Sequence, residues 1–215
     1  MDLAKKKLYD FFSQFRISKY SKGGTILRAG DLAQGVYFLK SGYAKLNAIS
    51  REGKELTMVI YSAGDFFPVV WTFFGERPSI YSYEAITDTQ ILRAPREKFI
   101  EIVNADKEIL VEVTKGIIVR FQSALRRMQY LTFGNASAKL ASVLLVLGRD
   151  FGVVKKSETE VQIPLTHKDI ADLVGVTRET VSLELKKFDR KGYIGYNKKL
   201  IVIRDKKTLE KKAIF

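Results

Sequence analysis

Arg178 and Glu179 stand side by side directly after Thr177. An Arg can donate two hydrogen bonds to guanine O6 and N7, and a Glu can accept from the cytosine amino group. An adjacent pair can therefore read G·C pairs from the major groove of DNA. Such reading needs presentation near the start of a helix, where groove contacts concentrate. Thr177 is a good N-cap for that helix, Val181, Leu185 and Phe188 recur at inward spacing, and Ser182 and Lys186 share the outer face with the Arg-Glu pair. The bland alternative is a solvated charged face, so the surrounding elements must decide.

Upstream, Thr166 followed by Asp169 gives an N-cap with an acidic residue in the first turn, and Ile170, Ala171, Leu173 and Val174 form an apolar stripe on a short helix. Gly175 sits where the chain must turn between two helices, and small Ala171 lets them cross closely. Residues 163–190 thus read as a helix-turn-helix, with His167 at its start as a solvent-facing or phosphate-side residue. After Gly192, Tyr193 to Ile203 reads as two short strands around an Asn-Lys-Lys turn, a wing that carries Lys198 near its tip. A winged helix-turn-helix over residues 135–215, with a recognition helix at 177–191, is the expectation. A helix from Ala138 to Gly148, a basic loop over Lys155 to Thr159 and a strand over Val161 to Ile163 lead into it.

The 215-residue chain carries 37 Lys plus Arg against 24 Asp plus Glu, a net charge of +13. So basic a surface attracts polyanions, nucleic acid before anionic membrane. Residues 137–215 hold 17 basic and 10 acidic side chains, so the excess is densest around the winged helix. There is no Cys, which excludes disulfides, thiolate zinc sites and Cys-ligated iron-sulfur clusters, and His167 is the sole histidine, which excludes a multi-His metal centre. A metal-dependent barrel enzyme needs two or three His on adjacent strands and is set aside on the same ground. The N-terminus, with Leu3, Leu8, Phe11, Phe12 and Phe15 among charges, reads as an amphipathic helix, neither signal peptide nor membrane span, in a cytoplasmic protein.

From Ser21 to about Arg96, short runs rich in Val, Ile, Tyr, Phe and Thr alternate with Gly-containing turns, and Ala29-Gly30-Asp31 echoes Ala63-Gly64-Asp65. This texture predicts an all-β barrel or jelly roll. Helix resumes after Pro95. Then Leu110, Thr114, Ile117, Phe121, Ala124, Met128 and Leu131 alternate steps of four and three, a heptad seam on a long helix. Val111, Val113, Ile118, Val119 and Leu125 widen the apolar surface, so part of the helix is expected to cover its own barrel. A helix apolar on two faces implies a second subunit, and a two-fold dimer would offer two recognition helices to half-sites about 34 Å apart in an inverted repeat. The expected α+β organisation is an N-terminal jelly-roll-like β-roll at 1–105, a dimerisation helix at 106–134 and the winged helix-turn-helix at 135–215, with a hinge at Gly134 to Ser137.

In this order the elements, and the segments KGGTILRAGD, VYFLKSGYAKL, AGDFF and LTHKDIADLVGVTRETVSLELKKF, resemble the Crp-Fnr family of bacterial transcription regulators over nearly the whole chain. The resemblance implies a cyclic-nucleotide-binding-like β-roll that senses a small molecule and resets paired long helices and DNA-binding domains. The family's base contacts map onto Arg178 and Glu179. Its next base-reading position, often Arg, is Leu183, which points to a different half-site, and Lys186 supplies a phosphate contact. RNA polymerase is an implied partner, through loops such as Ser50 to Glu55 or Lys155 to Glu160.

The sensory site departs from the family pattern. The element that holds ribose, Gly-Glu-Leu, is Pro68-Val69-Val70 here, and the Arg-Ser pair that holds phosphate falls on Ser79-Ile80. A cyclic phosphate without that Arg keeps its desolvation cost and loses charge-assisted hydrogen bonds, so cyclic AMP binding of the usual kind is not expected. The absent Cys and absent barrel His remove the iron-sulfur and haem variants. An effector pocket of Phe67, Val69, Val70, Ser79, Ile80 and Tyr81, facing Phe121, Ala124 and Leu125, could take a small apolar or aromatic molecule, or the same aromatics could be plain core with no effector at all. A nonspecific, architectural DNA binder is the remaining alternative.

Overall fold

The computed structural model describes residues 3–75 and 77–214, in two compact units that divide between Ala124 and Leu125. In the first unit, α1 (Leu3–Ser13) precedes β1 (Ile17–Tyr20), β2 (Thr25–Leu27), β3 (Val36–Ser41), β4 (Ala44–Ile49), β5 (Glu55–Tyr61), β6 (Phe66–Phe67), α2 (Val69–Phe74), β7 (Ser82–Ala85), β8 (Thr89–Ala94) and α3 (Arg96–Ala105). The long helix α4 (Lys107–Thr132) follows. The strands form two antiparallel four-stranded sheets, ordered β1-β8-β3-β6 and β2-β7-β4-β5. The jelly-roll-like reading is therefore met, but as an open two-sheet roll. Neither sheet closes into a barrel, because each ends on edge strands such as the two-residue β6 and three-residue β2.

Strand β3 explains why so much of this unit is apolar without alternation. Tyr37 and Leu39 point between the sheets, where they meet Tyr61, Phe67, Tyr83 and Ile91. Val36 and Phe38 point outward onto a second core with Phe12, Phe99, Ile109 and Val113 from the helices. Both faces are covered, so both must be hydrophobic. Phe12 stacks on Phe38 at 4.7 Å, and Phe99 meets Phe66 at 5.2 Å. Asp106 separates the last two helices: its Oδ1 accepts from the backbone N–H groups of Glu108 and Ile109 at 2.9 and 3.2 Å, capping α4. Its Oδ2 accepts from Lys7 Nζ at 2.8 Å, which ties α1 to the start of α4 and holds the Asp106 carboxyl below its ordinary value.

On α4, Ile109 and Val113 are buried against the roll, whereas Val111, Ile118, Val119 and Leu125 are exposed. Part of α4 thus covers the roll as expected, though of the five extra apolar residues named only Val113 is buried there. The heptad spacing places Leu110, Phe121 and Met128 on solvent in the single chain, Phe121 and Met128 at 63% and 64% exposure. Ile117, Ala124 and Leu131 are half-buried, and Thr114 is exposed with its hydroxyl donating to the Leu110 carbonyl.

In the second unit the remainder of α4 leads to α5 (Ala136–Phe151), β9 (Gly152–Lys155), β10 (Glu158–Val161), α6 (His167–Val174), α7 (Arg178–Arg190), β11 (Ile194–Asn197), β12 (Leu200–Ile203) and α8 (Lys206–Lys212). Asn135 caps α5 by accepting from Ala138 N at 3.0 Å, so that helix is longer at both ends than the sequence suggests. Two local expectations are corrected. Lys155 to Thr159 is not a loop but the heart of a hairpin, with Lys155 opposite Glu158 and Lys156 in the left-handed region at φ 57°. The strand expected over Val161 to Ile163 lies earlier, at Glu158–Val161, where pairing with β12 fixes it. The wing and this hairpin then share one sheet, ordered β11-β12-β10-β9. Among the described residues no helix is long and apolar enough to cross a membrane.

Candidate nucleic-acid interface

The helix-turn-helix is built by local chemistry that the sequence spells out. Thr166 accepts from Asp169 N, and the Asp169 carboxylate accepts from Thr166 N at 2.9 Å, a reciprocal capping box that starts α6. Gly175 ends it at φ 73°, a left-handed conformation that a Cβ would strain. Thr177 then caps α7 by accepting from Thr180 N at 3.2 Å. Ile170, Leu173 and Val174 from α6 and Val181, Leu185 and Phe188 from α7 are buried, and α5 packs against both helices.

That packing leaves one face of α7 outward. Arg178, Glu179, Leu183 and Lys186 are exposed there, Leu183 at 70%. Ser182 is half-buried. Its hydroxyl donates to the Arg178 carbonyl at 2.8 Å and also lies 2.8 Å from His167 Nδ1, a hydrogen bond whose direction follows the ring tautomer. This contact makes Ser182 a brace between the two helices. His167 is half-buried in that brace, and Thr166 and Thr177 are exposed at the two helix starts. Lys198 stands at the wing tip with φ 54°, exposed beside Lys199.

Two supports went unread in the sequence. Glu160 gathers Lys155 Nζ at 2.6 Å, Gln162 Nε2 at 3.0 Å and Asn197 Nδ2 at 2.5 Å, so it fastens the wing, close to its turn, to the preceding hairpin. The Asn197 hydrogen bond first, then those from Lys155 and Gln162, pull its carboxyl down to about 2. Arg127, near the end of α4 and only 4% exposed, donates to the Asp172 carbonyl at 3.2 Å in the last turn of α6. A cation at a helix C-terminus is favoured by the helix dipole. Burial lowers the Arg127 pKa, with the Tyr130 ring 6.0 Å from its guanidinium. Neither residue stands in a recognisable motif, because each acts through a partner distant in sequence.

The residues assigned to an effector pocket do not converge. Phe67 is fully buried between the sheets, stacked on Tyr83 at 4.9 Å with Tyr61 also 4.9 Å away. Burial raises both tyrosine pKa values, so their hydroxyls stay neutral. Val70, Ile80, Phe121 and Leu125 are exposed, Ile80 at 77%, while Val69, Ser79, Tyr81 and Ala124 are half-buried. The Ser79 hydroxyl donates to the Tyr81 carbonyl at 2.7 Å, and the Ser79 backbone bonds Asp31 and Gly30, so its loop is engaged with itself and its neighbour. No group of three His, Cys, Asp or Glu able to hold a metal occurs among the described residues.

Comparison with known proteins agrees with this architecture. Residues 17–106 match the cyclic nucleotide-binding domain family, and residues 138–212 match the Crp-like helix-turn-helix domain. The chain is 29% identical over 196 residues to the global nitrogen regulator of Nostoc sp., covering 91% of this chain and 88% of that one. It is 27% identical over 193 residues to the cAMP-activated global transcriptional regulator CRP of Pasteurella multocida, covering 90% and 92%. Its fold superposes on FixK2 from Bradyrhizobium japonicum with a TM-score of 0.79 at 22% identity, covering 94% and 98%. For a CooA mutant from Carboxydothermus hydrogenoformans the TM-score is 0.77 at 25% identity, covering 94% and 89%. With both domains matched in order and relatives aligned along most of its length, the chain belongs to the Crp-Fnr family and is a DNA-binding transcription regulator, not an enzyme.

Proposed function

We propose that the chain acts as a homodimer that binds an inverted-repeat DNA site, with α7 of each protomer in the major groove. The observation that carries the reading is the outward face of α7, where the side chains of Arg178 and Glu179 open the helix free of intramolecular hydrogen bonds among the described residues and Leu183 and Lys186 follow at helical spacing. Arg178 pairs with guanine and Glu179 with the cytosine amino group. Thr166, Thr177, Lys186 and Lys198 contact phosphates, which position the domain without reading sequence. Ser182 and His167 serve as the brace behind them. The seam of Leu110, Thr114, Ile117, Phe121, Ala124, Met128 and Leu131 joins the protomers, a reading supported by the apolar residues α4 leaves on solvent. The site of action is the cytoplasm, where the DNA lies.

Cyclic AMP, which the name of the Pasteurella relative invokes, is not the effector in this reading. Pro68-Val69-Val70 and Ser79-Ile80 offer no cation to a phosphate, and Phe67, Tyr61 and Tyr83 fill the space between the sheets. The same filled interior favours a second reading, regulation without any ligand in the roll. RNA polymerase contact is assigned to the exposed turn at Ser50 to Glu55 or to the Lys155 to Glu160 hairpin. Selection from random DNA, with sedimentation of the free protein, tests the whole. An enriched inverted repeat and a dimer are expected. A monomer, or no enriched repeat, overturns the proposal and leaves nonspecific architectural binding.

A further inference from the structure

A cleft of about 710 Å³ opens on the first unit, outside the two-sheet roll and separate from the residues between its sheets. Its floor is apolar: Leu8 from α1, Phe38 from β3, Phe66 from β6 and Val113 from α4. The volume lies within the range of small-molecule sites, roughly 300 to 1,000 Å³. Tyr9 flanks the floor, its ring edge-on to Phe38 at 6.2 Å. The charges around the cleft are unequal in availability. Glu112 is engaged by Lys5 at 3.7 Å, and Asp65 by Arg120, which also lies 5.5 Å from the Tyr61 ring. Lys40 and Lys115, also on the lining, have no carboxylate partner among the described residues.

The wall contributed by α4 carries a second signal. Gly116 lies in the interior of a 26-residue helix, where Gly is the weakest ordinary helix former. A close crossing would justify it, but a Cβ built there meets nothing within 4 Å. The missing side chain therefore leaves space, and that space belongs to the cleft. The face is also distinct from the seam proposed for dimerisation, with which it shares only Ile117.

We propose that this cleft binds an amphipathic carboxylate, its apolar body on Leu8, Phe38, Phe66 and Val113 and its carboxylate between Lys40 and Lys115. Of the positions that the family resemblance assigns to ribose and phosphate the cleft shares only Val69, and it does not depend on DNA being bound. The test is calorimetric titration of the full chain with decanoate, with decanol as the uncharged control. Saturable binding of one decanoate per chain is expected, at least tenfold weaker for the Lys40→Gln/Lys115→Gln double variant. Gly116→Trp should abolish it by filling the cleft, and Gly116→Met should weaken it if the Trp variant does not fold. Decanol binding as tightly as decanoate, equal binding by the lysine double variant, or unchanged binding by a folded Gly116 variant overturns the proposal. Because no DNA enters the titration, its failure leaves the operator reading standing, and failure of the operator selection leaves the cleft standing.

Discussion

Leu183 offers the sharpest test of how α7 reads DNA. It is 70% exposed on the same face as Arg178 and Glu179, so Leu183→Arg removes little buried surface and should leave folding unchanged within about 0.5 kcal/mol. At a rise of about 1.5 Å per residue, position 183 lies about 7.5 Å along the helix from Arg178. With base pairs about 3.4 Å apart, the new guanidinium falls roughly two base pairs away from the pair that Arg178 reads. A bidentate Arg-guanine contact discriminates by about 1 to 3 kcal/mol, which is roughly 5- to 150-fold in affinity between guanine and other bases at that position. The alternative fate of the new Arg is an i, i+4 ion pair with Glu179, worth only about 0.2 to 0.5 kcal/mol on an exposed helix, so the base contact should win. The assay is selection from half-sites randomised at every position, for both proteins, followed by titration of the winning sites by fluorescence anisotropy at several salt concentrations. A new guanine preference confined to one position, with the preferences set by Arg178 and Glu179 retained, is expected. An unchanged motif with uniformly tighter, more salt-sensitive binding would refute the placement of α7 in the groove.

Other consequences are as direct. Arg178→Ala should cost about 1 to 3 kcal/mol on the selected site and relax one base pair, whereas Lys186→Ala should weaken specific and random DNA alike and lower the salt slope by about one, both read by anisotropy. Phe188→Ala, at a site 1% exposed, should destabilise the second unit by about 3 to 5 kcal/mol in urea unfolding followed by circular dichroism. That is a large share of the roughly 5 to 15 kcal/mol typical of a domain, and a loss below 1 kcal/mol would contradict the packing described. Glu160 has a folded pKa of about 2 against an ordinary 4.5, so it stabilises the link between wing and hairpin fully above pH 4.5 and progressively less as pH falls toward 2. Glu160→Gln should therefore lower the melting temperature at pH 7 and flatten its decline across that acid window; an acid profile identical to that of the unsubstituted protein would exclude this role.

What the sequence disclosed depended on how local the determining interactions are. The capping box at Thr166 and Asp169, the left-handed Gly175 and the cap at Thr177 each involve residues within four positions of one another, so the helix-turn-helix was legible in detail. The β9–β10 hairpin was not, because β10 is placed by pairing of Thr159 and Glu160 with Ile203 and Val202, some forty residues on, and β9 pairs only with β10. The lysines beside its turn looked like loop for the same reason. On α4 the heptad spacing was visible, but which flanking residues met the roll depended on the direction in which the helix crosses Phe38 and Phe99, and only Val113 of those named was buried. The aromatic run from Phe66 to Tyr83 suggested lining or core without deciding. Pairing of Phe66 and Phe67 with β3 sent one ring to each side of the sheet, Phe67 between the sheets and Phe66 toward the helices, and so made both of them core.

The division of labour within α7 has an evolutionary corollary. Val181, Leu185 and Phe188 anchor the helix from below, while Arg178, Glu179, Leu183 and Lys186 bear almost none of the burden of folding. Under the proposed reading of DNA by this face, promoter vocabulary can drift by single substitutions that natural selection need not balance elsewhere, and regulons descended from one ancestor are free to diverge faster than the proteins that govern them.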